Sequence, residues 1–523
     1  MNLDDIAQNQ RWLQQTLMKK NGTFQSHLGG FIFMLDELKK ELDVSVTENG
    51  ARGHATSGSL IVDFNFMASS MRAWSGDEIR DYFLEVYHDD PLLALRWLFY
   101  ARDIRMGMGE RRLFRECYKV LPVPAAVANL TNIPFYGRWD DLVSLFGVMG
   151  SVVDEAVVRI VSAQLDMDLL SMERGGPVSL LAKWMPSENA SSMESRRLAR
   201  KLAKALDLSF KEYRKTLSSL RGYIDVVESR MCSGDWSGID YEKVPSMANL
   251  RYADAFMRHD YDRRARYLSR VSNGDADFNM SVASPVDVVH RYVGRHRSPD
   301  EQDDVLELAW KSLSDVFVDD VLVVADGSGS MTWNLSGVLP LTVANSLALY
   351  TAEHNSGEFR NHFITFSSHP RLIRIPEDAT LYEKLRIMSR YMECSSTNIE
   401  AVFDLILDAA VNNEMTQDDM PGSVLVISDM EFNQAVSGGP DRTLFDEIKS
   451  KYKAHGFVMP RLVFWNVSSR TGTIPVRTNN MGVALVSGYS QNTLKMVMSD
   501  KLDPYDVLVE TLMSPRYDRV VPG

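Results

Sequence analysis

The sequence predicts a helical-repeat half followed by a doubly wound α/β half, an α plus α/β architecture. Two observations carry this reading. From about Gly58 onward apolar residues recur at three- and four-residue spacing, in blocks parted by short polar turns. Beyond residue 313 the pattern changes to short β-branched runs alternating with helical stretches, as repeated βα units require. A chain of 523 residues is long enough for each half to bury its own core.

Residues 1–50 form an N-terminal segment that reads either as a docking helix or as a fraying terminus. The helical half spans 51–313. Ile61, Phe64, Phe66 and Met67, then Ile79, Tyr82, Phe83 and Val86, then Leu92, Leu95, Leu98 and Phe99 mark successive apolar faces. Turns such as Ser75-Gly76-Asp77 and His88-Asp89-Asp90-Pro91 divide them. Stacked helix pairs of this kind predict a HEAT-like, ring-like solenoid, although no fixed repeat period is visible. Gly107-Met108-Gly109 lacks a third glycine and a following Lys-Ser/Thr, so it reads as a tight interhelical turn and not a phosphate loop. A turn-rich stretch over 271–300, a helix from Pro285 to Val293 and another from Glu301 to Leu313 close this half.

The second half, 314–523, opens with the buried strand Val321-Leu322-Val323-Val324-Ala325. Further strands are predicted at Phe363–Phe366, Arg371–Ile375, Val424–Ser428, Arg461–Val467 and Val483–Val486. Helices are predicted at Val343–Tyr350, Leu381–Met392, Ile399–Ala410 and Leu444–Tyr452, with two more from Asn492 and Pro504.

Composition bounds the function classes. Hydrophobic content of 45% and charged content of 24% are ordinary for a soluble globular protein. No apolar run approaches the roughly 20 residues of a membrane span, and the acidic N-terminus has no signal-peptide core. Cys117, Cys232 and Cys394 are too scattered for a disulfide framework or a zinc site. The expectation is a cytoplasmic monomer with no membrane partner. The net charge of −13 is unevenly placed: residues 301–523 carry 18 Lys and Arg against 30 Asp and Glu, whereas 1–300 carry 39 against 40. An anionic partner therefore fits the first half better than the second.

The first strand of the second half runs straight into Asp326-Gly327-Ser328-Gly329-Ser330. A strand, an oxygen-rich turn and a helix put these side chains at the carboxyl end of a sheet, where α/β folds bind ligands. Carboxylate and hydroxyl oxygens are hard donors suited to Mg²⁺. Thr397, just before a helix, and Asp429, ending the strand Val424–Ser428, can complete the set. Asp326, Ser328, Ser330, Thr397 and Asp429 in this order resemble the metal-ion-dependent adhesion site of von Willebrand A domains. The resemblance implies a bound Mg²⁺ or another divalent cation whose open position takes an Asp or Glu from a protein partner.

Nothing in the chain argues for catalysis. The second Asp of a dehalogenase-type phosphatase is replaced by Ser328, and neither a G-x-S-x-G elbow nor an H-E-x-x-H pair exists. The expectation is a non-enzyme.

Two segments of the helical half are more specific than the rest: Tyr100-Ala101-Arg102-Asp103-Ile104-Arg105-Met106-Gly107-Met108-Gly109-Glu110-Arg111-Arg112, and Asn132-Ile133-Pro134-Phe135-Tyr136-Gly137-Arg138-Trp139-Asp140-Asp141-Leu142. With Tyr213-Arg214-Lys215, Val244-Pro245-Ser246, Tyr252–Asp260, Val486-Ser487-Gly488-Tyr489-Ser490 and Arg516-Tyr517-Asp518, they resemble the Ro ribonucleoprotein autoantigen family. In that family a TROVE region precedes a von Willebrand A domain, and this chain is similar to its bacterial and phage branch. The resemblance covers most of the chain from about residue 51. It implies a ring of helical repeats, small structured noncoding RNA on the ring's outer surface, and RNA 3′ ends in its hole.

The residues themselves offer two basic clusters. Arg196, Arg197, Arg200, Lys201, Lys204, Lys211, Arg214 and Lys215, with Arg221 beyond them, are opposed only by Asp207 and Glu212. Positions 197, 200, 201, 204 and 211 fall at helical spacing, which predicts a cationic stripe able to neutralise phosphates. Arg258, His259, Arg263 and Arg264, with Arg266 and Arg270, lie beside Tyr261 and Tyr267, and Arg and Tyr planes stack on unpaired bases. A solvated helix face is the bland alternative for either cluster. The expected function is a Ro-like RNA-binding ribonucleoprotein with a Mg²⁺-dependent protein-interaction module. The competing expectation is a protein-interaction adaptor, for example for a MoxR-type ATPase, or a phage assembly component without RNA binding.

Overall fold

The computed structural model describes residues 44–46, 52–293, 302–316, 318–333, 337–356, 358–391, 398–431, 444–469, 474, 483–497 and 503–523. It contains a helical N-terminal half followed by a six-stranded mixed sheet. A small hairpin, β1 (Val44–Val46) with β2 (Arg52–His54), precedes the helices and is bridged through His54 to Ile474 of the sheet half. The rest of segment 1–50 lies outside the described residues.

Local signals fix the first helices. α1 (Leu60–Met67) and α3 (Pro91–Arg102) are buried nearly all round, as their lack of a polar face demands. Between them α2 (Gly76–Asp89) is amphipathic. It starts on a capping box in which Ser75 and Glu78 exchange hydrogen bonds, 3.2 Å from the Glu78 amide to the serine hydroxyl and 2.7 Å in return. Asp90 caps α3, and Pro91 occupies its first turn. The buried amide of Asn65 on α1 accepts from the Trp97 indole of α3 at 3.0 Å, so a polar group inside the core is satisfied.

The Gly107-Met108-Gly109 turn after α3 is the tight connection expected. A Cβ on Gly107 would lie 2.0 Å from the Tyr100 carbonyl oxygen, and Gly109 has φ +73°. The amides of Gly107, Met108 and Glu110 donate to the carbonyls of Asp103, Tyr100 and Ala101. These donors are consumed by the helix end and cannot cradle a phosphate.

The chain continues through α4 (Arg111–Tyr118), α5 (Ser151–Glu173), α6 (Met193–Ala205), α7 (Phe210–Ile224), α8 (Ala253–His259), α9 (Tyr261–Ser272), α10 (Pro285–Tyr292) and α11 (Asp304–Lys311), with shorter turns between. In the second half β3 (Val321–Asp326), β4 (His362–Phe366), β5 (Leu372–Arg374), β6 (Ser423–Ser428), β7 (Arg461–Asn466) and β8 (Val483–Ser487) form one sheet in the order β5-β4-β3-β6-β7-β8. The helices here are α12 (Pro340–His354), α13 (Leu381–Tyr391), α14 (Ile399–Asn412), α15 (Leu444–Ala454) and α16 (Pro504–Leu512). All pairings are parallel except β4 with β5, so the sheet is mixed with an antiparallel edge. The cause is the five-residue link after β4, too short for a parallel crossover. Of the helix expected from Asn492, Leu494–Val497 is described as α-helical. No helix among the described residues is long and apolar enough to cross a membrane.

The two halves are joined by the first helices and the last twenty residues. Asn466, at the end of β7, donates to the Phe66 carbonyl at 2.7 Å, and the Ser69 amide donates to Ser487 of β8 at 3.0 Å. Beyond α16 the chain returns along the helical half. The Arg516 guanidinium pairs with buried Asp103, which also accepts from the Tyr517 hydroxyl at 3.3 Å and the Arg105 amide at 3.0 Å. Tyr136, Asn132 and Asn129 then donate in turn to the carbonyls of Arg516, Arg519 and Val521.

Replacing Asp103 by alanine strands the Arg516 charge and empties a buried site. Because Arg516 is partly exposed, the expected loss is about 2–4 kcal/mol rather than the full cost of a deeply buried pair. It would show as a lowered urea midpoint, and a midpoint within error of wild type would refute the clasp.

Candidate functional site

The end of β3 gathers oxygen. Asp326 is wholly buried, and its two carboxylate oxygens accept from the Ser328 amide at 2.8 Å and the Ser428 hydroxyl at 2.5 Å. The hydroxyls of Ser328 and Ser330 lie 2.9 Å apart. β6 runs parallel beside β3, with Ala325 opposite Ile427, so both strands end at the same level and Asp429 follows directly. Asp429 and Glu431 are both buried, flanking Met430, whose φ of +64° puts a non-glycine residue in the left-handed region. Thr397 lies outside the described residues.

Burial pushes the Asp326 carboxyl above the usual carboxylate range, and the hydrogen bonds from Ser428 and Ser328 pull the other way. Its named partners are a hydroxyl and an amide, with no cationic side chain among them. A buried carboxylate beside two hydroxyls and a second buried carboxylate is a donor set that fits a small divalent cation. Among the described residues no group of three or more His, Cys, Asp or Glu side chains could hold a metal, so a cation here would rely on hydroxyl ligands as much as on carboxylates. Sequence reading missed Ser428 as a partner of Asp326. The available signal was that two parallel strands end in register, each in a polar residue.

The first basic cluster is presented to solvent. Arg196, Arg197, Arg200, Lys201 and Lys204 on α6 are exposed, opposite the buried Ala199, Leu202 and Ala203. Lys211, Arg214 and Lys215 are exposed on α7. The expected single stripe is broken, because residues 206–209 turn the chain, with Asp207 at φ +55°, and a Ser209 capping box starts a new helix. Arg221 is structural: its guanidinium donates to Ala182, Met185 and Ser187 at 2.7–2.8 Å.

The second cluster is divided: Arg266 and Arg270 are exposed, Arg263 is half-buried and Arg264 is buried. Arg258 and His259 are exposed, the latter stacked on Trp236 at 4.4 Å. Arg263 donates to the Trp236 and Ile239 carbonyls and to Asp260. Arg264 is fully buried, its guanidinium 4.9–5.4 Å from the ring centroids of Tyr241, Phe256, Tyr267 and Phe278, with Asn249 accepting at 3.3 Å. Burial pushes its pKa down to about 10. Arg264 is therefore not available to an RNA, whereas Arg263 keeps about a third of its side chain exposed. Sequence periodicity placed Arg264 on a surface because it cannot tell a cation facing water from one enclosed by rings.

A third feature brings together parts of the two specific helical-half segments, 100–112 and 132–142, with the stretch 486–490. A cavity of about 570 Å³ lies where the helical half meets the sheet half. Arg72, Arg102, Arg105, Arg111 and Arg138 line one side, and Tyr489–Asn492 and Ser314–Val316 the other, with Asp287 and Asp315 among the lining residues. Most of these arginines are engaged. Arg72 pairs with Glu110 and lies 3.5 Å from the Tyr489 ring centroid; Arg102 pairs with Asp141, Arg111 with Asp140 at 3.5 Å, and Arg105 donates to the Phe135 carbonyl. Arg138 has no ion pair among the described residues and lies over the Trp184 ring at 5.2 Å. Burial first, then Arg111 and Arg102, lower its pKa. Two neighbouring cations thus disfavour the third, while the nearby carboxylates of Asp140 and Asp141 favour it.

Comparison with known proteins gives the following. Residues 152–320 match a family described as domain of unknown function DUF2828, and residues 320–511 one described as DUF7788. Uncharacterized protein L728 of Acanthamoeba polyphaga mimivirus is 28% identical, covering 90% of this chain and 87% of that protein. The RO (RSR) protein of Deinococcus radiodurans aligns over 83% of this chain and 93% of its own at 15% identity, with a TM-score of 0.44. Proximal thread matrix protein 1 of the mussel byssus aligns over 34% of this chain and 44% of its own at 16% identity, TM-score 0.23.

The Arg264 cage predicts a contrast between two substitutions. Arg264→Ala empties a large buried site and should cost about 3 kcal/mol in chemical unfolding. Arg264→Met keeps the volume, removes a charge without a carboxylate partner, and should be near neutral or stabilising. An Arg264→Met protein as unstable as the alanine variant would mean that the charge itself holds the cage together.

Proposed function

We propose that this chain is a Ro-like RNA-binding protein that takes single-stranded RNA 3′ ends and small structured noncoding RNA through its helical half. In this reading the sheet half is a Mg²⁺-dependent protein-interaction module. The observation that supports RNA most directly is the arginine-lined cavity, where Arg138 has no ion pair among the described residues and Arg102 and Arg111 stand nearby. A phosphate there would pair with the Arg138 guanidinium, which the Trp184 ring already supports. The exposed cations of α6 and α7 support a second, outer contact, whose phosphate pairing would be strongly salt-dependent. The sequence motifs shared with the Ro family point the same way.

For the sheet half, the support is the donor set of Asp326, Ser328, Ser330 and Asp429, with Thr397 as the further expected ligand. A hexacoordinate Mg²⁺ held by a few protein oxygens keeps exchangeable positions, one of which a partner's Asp or Glu would fill. This is a binding device and needs no turnover.

Anisotropy of a labelled single-stranded RNA tests the first half of this reading. Wild type should bind at low salt, and Arg138→Glu should weaken binding about ten-fold or more, by analogy with breaking a charge-assisted contact. Wild-type protein that leaves the RNA free at low salt would overturn the assignment. Thermal denaturation tests the second half. Millimolar MgCl₂ should raise the midpoint of wild type and leave that of Asp326→Ala unchanged, as mass action requires of a ligand that binds only the folded site. RNA affinity should survive Asp326→Ala; its loss together with the Mg²⁺ response would show that the two sites are not separate.

A further inference from the structure

The turn between α6 and α7 holds a feature that neither basic cluster contains by itself. Phe210, the first residue of α7, is 48% exposed, although a phenyl ring gains by leaving water. It lines a cleft of about 600 Å³ together with Arg200, Lys201 and Lys204 from the last turns of α6 and with Asp207, Leu208 and Ser209 of the turn. Local structure holds the ring there. Ser209 and Glu212 form a reciprocal capping box, which occupies the nearest glutamate, and Asp207 adopts a left-handed backbone that bends the chain sharply. No ion pair engages Lys201 or Lys204 among the described residues, and Arg200 stands 4.0 Å from Glu188.

We propose that this cleft is a single-nucleotide subsite, in which an unpaired RNA base stacks on the Phe210 ring while Arg200, Lys201 and Lys204 hold the flanking phosphates. The inference rests on the RNA-binding reading above and names a contact that reading lacks. Three observations favour a nucleotide over other occupants. The site is an open cleft of nucleotide size. It exposes one ring, whereas insertion into a bilayer needs a broader apolar face. Its three cations against one carboxylate match a phosphodiester with a base between its charges. An aromatic platform beside a cationic groove is the general device for holding single strands, tolerant of base identity because every base has a π face.

The test uses the full chain and a labelled oligouridylate of about a dozen nucleotides, compared with an abasic strand of the same length. Phe210→Ala should weaken the oligouridylate roughly five- to hundred-fold and leave the abasic strand unchanged, while Phe210→Trp should restore binding. The salt dependence should be the same in Phe210→Ala as in wild type. In Lys201→Glu/Lys204→Glu it should flatten, because those side chains act through phosphates. Since Phe210 is exposed, an unchanged thermal midpoint will show that the alanine variant is folded. Equal oligouridylate binding by wild type and Phe210→Ala overturns the subsite and leaves the RNA reading intact. Absence of RNA binding by wild type overturns both. Binding of phosphatidylserine vesicles that Phe210→Ala abolishes, with RNA binding unaffected, would mean the ring serves a membrane surface instead.

Discussion

The arrangement of the two halves depends on the ion pair between Asp103 and Arg516, residues separated by most of the chain. Asp103 is fully enclosed and accepts from a guanidinium, a tyrosine hydroxyl and the backbone of its own turn. Such a carboxylate is costly to bury and can be held only if its donors arrive together. They come from opposite ends of the polypeptide, so the pair forms only when the C-terminal tail has returned to the first helices. The neighbouring asparagines, Asn129 and Asn132, extend the clasp by pairing with tail carbonyls that would otherwise lose water without replacement.

This closure also creates the functional geography. The cavity at the junction exists because Ile104–Gly109, which follow Asp103, meet Tyr489–Asn492, which follow β8. Arg72 illustrates the coupling: it is neutralised by Glu110 of the helical half and stacked on Tyr489 of the sheet half. Several of the lining charges are already held by ion pairs and ring contacts. Preorganised guanidiniums lose little entropy on binding a phosphate, which favours recognition by the cavity over recognition by the mobile lysine stems of α6.

The arginines divide into three kinds by what their guanidiniums touch. Arg264 and Arg221 serve the fold, the first inside aromatic rings and the second tying backbone carbonyls. Arg138 is half-buried over the Trp184 ring, with no ion pair among the described residues. Arg197 and Arg200 face water. Composition weighs all of them equally, which is why the near-neutral balance of residues 1–300 understates the local charge at the junction.

The sequence by itself determined the elements that depend on neighbouring residues. The β-branched runs at Val321–Ala325 and Val424–Ile427 fixed two central strands, the Ser75 and Asp90 caps fixed helix starts, and Gly107 fixed a turn no larger residue could enter. It also marked the Asp326 turn as a place where hard oxygens cluster. Tertiary structure decided what periodicity cannot encode. It placed Ser428 against Asp326 through strand register, reversed β5 at the sheet edge, and broke the basic stripe at Asp207. It enclosed Arg264 and set Arg138 over the Trp184 ring. The physical reason is range. Propensity and capping act within about four residues, whereas desolvation and charge pairing are set by whichever distant segments the closed chain brings into contact.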